Sequence, residues 1–83
     1  MSREYINEEV TVTNVGFRKN LGIYPKKIEF RGSSYSFIDA GLRCIVKHGG
    51  RIAEIITMSD GRADYCLRSE NNGSSWTLVS IGA

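Results

Sequence analysis

Over most of its length the chain alternates apolar and polar residues with a period of two, and glycine-bearing turns interrupt the pattern at close intervals. Only extended strands turn successive side chains to opposite faces, so the pattern predicts an all-β fold. The strands read from it are 9–14, 26–31, 34–38, 42–48, 51–58, 62–69 and 75–81. Residues 3–9 read as one helical turn capped by Ser2. Eighty-three residues suffice for one core, so 1–83 is expected to be a single domain.

Three turns set the expected registers. Gly32 and Ser33 read as a two-residue loop that pairs Phe30 with Tyr35 and Ile28 with Phe37, all on one apolar face. Gly49 and Gly50 read as a second such loop, setting Val46 opposite Ala53, Cys44 opposite Ile55 and Leu42 opposite Thr57 as the inward face. The other face of that hairpin carries Arg43, Ile45, Lys47, Ile52, Glu54 and Ile56. At Ser59, Asp60 and Gly61 a two-residue loop would bury Asp64 and Arg68. A three-residue loop closed by a glycine bulge instead pairs Ile55 with Tyr65 and sends Ala63, Tyr65 and Leu67 inward. Burying an unpaired charge costs several kcal/mol, so the three-residue loop is expected.

In the last strand Trp76 and Leu78 are expected inside, ahead of Thr77, Val79 and Ile81. No amphipathic helix is long enough to cover an open sheet, so the antiparallel meander should curl into a closed or half-closed barrel.

Hydrophobic residues at 41% and a single Pro exclude a disordered chain. The net charge of +2 is too small to force a nucleic-acid or membrane partner, but its distribution is uneven. Residues 1–9 sum to −2, residues 10–31 to +4, and the remainder balances, so an electrostatic partner is expected near 18–31. No run approaches the roughly 20 apolar residues of a membrane span. The N-terminus also lacks the basic-then-apolar order of a signal peptide. The expected location is the cytoplasm, with no membrane partner.

Cys44 and Cys66 are expected on opposite faces of the sheet and therefore as free thiols. With one histidine, His48, they are too few for a four-ligand zinc site, so no metal is expected. No phosphate-binding glycine loop, dinucleotide motif or C-x-x-C is present, and no cofactor follows. His48 and Asp60 fall at turns, as does Asp39 before Ala40 and Gly41, and Asp64 suits a cross-strand ion pair. No catalytic residue and no enzymatic activity are expected.

Two surfaces remain. The segment 15–25 is the least regular stretch and reads as a loop, either plugging a barrel mouth with Phe17, Ile23 and Tyr24 or binding a partner. Together with the following strand it offers Phe17, Arg18, Lys19, Tyr24, Lys26, Lys27 and Arg31 as a basic and aromatic binding surface. Ile45, Ile52, Ile56 and Met58 on the mixed hairpin face form an apolar patch for a protein partner or a weak homodimer, unless the 15–25 loop covers it. The expected function is a small non-enzymatic interaction domain. The alternative is single-stranded nucleic-acid binding through residues 17–31.

Overall fold

The computed structural model describes residues 3–19 and 22–82, without the side chains of Ala40 and Leu42. Ser2, Leu21 and the inward placement of Leu42 therefore lie outside the described residues. Seven strands form one antiparallel sheet: β1 (Arg3–Arg18), β2 (Gly22–Phe30), β3 (Ser33–Ser36), β4 (Asp39–His48), β5 (Arg51–Ser59), β6 (Asp64–Ser69) and β7 (Trp76–Gly82). The order across the sheet is β3-β2-β1-β7-β6-β5-β4. The all-β expectation holds, but no ladder joins β3 to β4 among the described residues, so the sheet is not a closed barrel.

β1 belongs to both halves of the sheet. Its first part, from Arg3 to Val10, pairs with β7, and its second, from Thr11 to Arg18, pairs with β2. Residues 3–9 are therefore strand and not a helical turn. The free edge of β7 supplies backbone partners that outweigh weak local helical preference, and Asn7 at φ 55° marks the irregularity in the ladder. The 15–25 stretch is likewise no loop, because Val15 pairs with Pro25, Gly16 with Tyr24 and Phe17 with Ile23. Pro25 is tolerated beside a register shift, where a missing N–H disrupts least.

The β2–β3 turn uses Arg31 and Gly32, at φ 51° and 78°, in place of Gly32 and Ser33. Ile28 consequently faces Tyr35. Because the shift is an even number of residues, Phe30, Ile28 and Phe37 keep their expected inward face. The turn after β5 spans 60–63, one residue longer than expected, and pairs Met58 with Tyr65 and Ile56 with Leu67. That register inverts the faces of β5: Ile56 and Met58, each 1% exposed, join Tyr65, Leu67, Trp76 and Leu78 in the core. Trp76 and Leu78 point inward as expected.

The two halves of the sheet face each other through aromatic rings. Tyr65 on β6 meets Phe37 at 5.1 Å and Tyr35 at 5.6 Å between centroids, in tilted geometries. No helix among the described residues is long and apolar enough to cross a membrane.

Candidate functional site

The sheet ends at β4, and the turn that joins β4 to β5 is a two-residue loop as the sequence predicts, with Gly49 at φ 56° and Gly50 at φ 82°. Two positive φ values in succession give the turn whose twist matches the flanking strands, which only glycine and a few polar residues adopt cheaply. In such a hairpin His48 and Arg51 form the hydrogen-bonded pair next to the loop, and alternation assigns the next such pairs to Val46 with Ala53 and Cys44 with Ile55. The N–H and C=O groups of Ile45 and Lys47 then point away from β5, to the side where the sheet has no further strand.

This hairpin end projects from the body. Every residue in 44–52 is exposed, although the stretch contains Ile45, Val46 and Ile52. Ile45 at 61% and Ile52 at 54% exposure lie on the face that continues the core side of β5, Ile45 directly opposite the buried Glu54 and Ile52 two residues from it along β5. A cleft of about 520 Å³ lies against Ile52, Glu54 and Arg51 on one side and Glu70, Asn71 and Asn72 on the other. The loop that forms its far wall is held by Ser69 and Asn71. The Ser69 hydroxyl donates to Asn71 Oδ1 at 3.0 Å and accepts from the Gly73 N–H at 2.8 Å, and Asn71 Oδ1 also accepts from the Ser75 N–H at 2.9 Å.

Of the four apolar patch residues read from the sequence, then, only Ile45 and Ile52 are available to a partner. Ile56 and Met58 pack inside because the longer turn fixes β5 by its pairing with β6, whereas both faces of the β4–β5 hairpin are apolar enough to be mistaken for the inner one. The described residues of the 15–25 segment leave Ile45 and Ile52 exposed.

The residues of the expected basic and aromatic surface are only partly brought together. Phe17 is 73% exposed, and Lys19 and Lys26 are exposed beside the half-buried Lys27. Tyr24 is instead buried, its ring lying over Gly16. Arg18 pairs with Asp39 at 3.4 Å. Arg31 bonds to Glu8, whose carboxylate raises the guanidinium pKa, and lies 4.8 Å over the Phe30 ring. Two of the five cations are thus neutralised within the chain.

A larger cleft of about 740 Å³ opens where β1 leaves β7, between the β1–β2 hairpin and the 72–75 loop. Val12, Val15, Tyr24 and Trp76 line it, with the Arg43–Glu54 ion pair set into its wall. Sequence reading did not find that pair as a site, since it becomes one only when β1 and the 72–75 loop fold against it. Glu54 is buried with its charge matched by Arg43, an arrangement that costs desolvation but leaves no bare carboxylate. Among the described residues no group of three or more His, Cys, Asp or Glu is placed to hold a metal ion. His48 is exposed beside the hairpin loop, and Asp60 is taken up by its own turn. Comparison with protein-family models, curated proteins and solved structures finds no match for this chain.

Proposed function

We propose that the chain is a small non-enzymatic interaction module that meets a protein partner through the projecting end of the β4–β5 hairpin. One observation carries this reading: an edge hairpin with Ile45, Val46 and Ile52 all in solvent. A monomer with no use for such an edge would ordinarily blunt it with charges or cover it, and here Lys47 is the only charge between Cys44 and His48. The scaffold is a half-closed barrel in this view. The Phe37 N–H donates to the Lys26 carbonyl of β2 at 2.9 Å and the Ile38 N–H to the Ser59 carbonyl of β5 at 2.8 Å, so the short stretch between β3 and β4 bonds to the strand next to each edge of the sheet. The reading keeps the cytoplasm as the location, since Cys44 and Cys66, with β5 between their strands, need no oxidising compartment.

Nucleic-acid binding has narrower support: exposed Phe17 with Lys19, Lys26 and Lys27, after Arg18 and Arg31 are spent on Asp39 and Glu8. Photo-crosslinking in cells separates the two readings. A benzophenone side chain at position 45 or 52 should give protein adducts, and one at position 17 or 26 should not. Adducts to nucleic acid from 17 or 26, with none from the hairpin, would reverse the assignment.

A further inference from the structure

We infer that the partner of this hairpin is an extended acidic polypeptide segment, added as an eighth strand along the open edge of β4. The inference rests on reading the hairpin as the interaction surface. It adds the mode of binding and the chemistry of the partner.

The mode follows from the backbone. Ile45 and Lys47 present outward N–H and C=O groups in the two-residue repeat that an antiparallel strand matches, so main-chain hydrogen bonds need no change in β4. The chemistry follows from the side chains. Between Cys44 and Arg51 the hairpin has no Asp or Glu, while Lys47 and Arg51 are exposed and make no ion pair among the described residues. Arg43 is already matched by Glu54. A strand that places carboxylates opposite Lys47 and His48 and small apolar residues opposite Cys44, Ile45 and Val46 satisfies both the charge and the apolar centre.

The same charges argue against a second copy of this chain. Antiparallel self-pairing about Ile45 sets Arg43 opposite Lys47 of the second copy, and the register about Arg43 that would bring Asp39 to Lys47 offers a carboxylate already paired with Arg18. Nucleic acid fits less well, because no Phe, Tyr or Trp stands between Arg43 and Ile52 for a base to stack on.

The test uses the full chain, labelled with ¹⁵N, and a blocked peptide Glu-Glu-Val-Ala-Val-Glu, with Lys-Lys-Val-Ala-Val-Lys and a mixed-sequence single-stranded oligonucleotide as controls. The acidic peptide should shift the amides of 44–48 saturably and slow water exchange at Ile45 and Lys47. Its affinity should fall several-fold as salt rises tenfold. Lys47→Glu, an exposed change that spares the fold, should exchange the preference for the acidic peptide for the basic one. Shifts at the hairpin without slowed exchange at Ile45 and Lys47 would overturn strand addition while leaving the interaction surface standing. Slowed exchange that grows with protein concentration alone would make a second copy the occupant. An equal response to the oligonucleotide would reduce the preference to a general one for polyanions and overturn it. No response at millimolar peptide would overturn the inference, and only absence of the hairpin crosslinks as well would remove the proposed function.

Discussion

The Tyr65 hydroxyl donates a hydrogen bond to Asp60 Oδ2 at 2.7 Å, while Asp60 Oδ1 accepts from the N–H groups of Arg62 at 2.8 Å and Ala63 at 2.9 Å. One carboxylate thereby shapes the 60–63 turn and anchors the aromatic ring that follows it. The turn in turn pairs Met58 with Tyr65 and decides which face of β5 is core.

Removing that carboxylate should be costly. Asp60→Ala is expected to destabilise the fold by about 1–3 kcal/mol, because the buried Tyr65 hydroxyl loses its acceptor. Tyr65→Ala should cost about 3–5 kcal/mol as a core aromatic. Asp64→Ala, on the exposed side of β6, should stay within about 0.5 kcal/mol. Denaturant titration of the three variants checks the order.

The same pair predicts the pH limits of stability. Asp60 is held below its ordinary value by the Tyr65 hydroxyl first and then by the backbone N–H groups of Ala63 and Arg62. Its contribution is therefore present above about pH 4, the unfolded value, and is lost as acid protonates the folded carboxylate. Tyr65 is raised, by burial first and then by its bond to Asp60 and that residue's charge. Its contribution is complete below about pH 10 and declines as alkali ionises the unfolded chain's tyrosine. Tyr65→Phe should blunt both limits in thermal melts across pH; unchanged slopes at both ends would contradict the assignment.

Much of this fold was legible in the alternation and the turns. Gly49 and Gly50 announce their loop, and Trp76 and Leu78 announce their face, because each is decided locally. Arg31 is different: its left-handed conformation is uncommon for a residue other than glycine or asparagine, and its bond to Glu8 comes from a residue 23 positions away in the chain. The faces of β5 were hidden for a related reason. Cys44, Val46, Ala53 and Ile55 are as apolar as Ile45, Ile52, Ile56 and Met58, so only the length of the 60–63 turn breaks the tie. Of the candidate sites, the exposed isoleucines were visible in part. The cleft at Arg43 and Glu54 was not, because its walls come from opposite ends of the chain.

Gly16 faces Tyr24 across β1 and β2, and a Cβ there would stand 2.6 Å from the ring. Gly16→Ala should cost about 1–3 kcal/mol, since the buried ring has to move. Adding Tyr24→Leu should remove most of that penalty in a double-mutant cycle. Additive losses would mean that the ring does not lie on the glycine.

Cys44 and Cys66 are free, though not for the reason the expected register supplied, since Cys44 is exposed on the outer side of its hairpin. They stay apart because β5 runs between their strands, a separation of roughly 9–10 Å against a limit of about 7 Å for a disulfide. In the native protein iodoacetamide should label Cys44 first and the half-buried Cys66 more slowly. An intramolecular disulfide, seen as a two-dalton (about 2 Da) mass deficit, would contradict the register.

The open edge of β4 can be read directly from amide exchange in the free protein. Cys44 and Val46 donate toward β5 and should exchange slowly, while Ile45 and Lys47 face solvent and should exchange many-fold faster. That alternation, residue by residue from 44 to 47, is the predicted result. Uniform protection along the four would mean that the edge is already covered, and it would contradict the account.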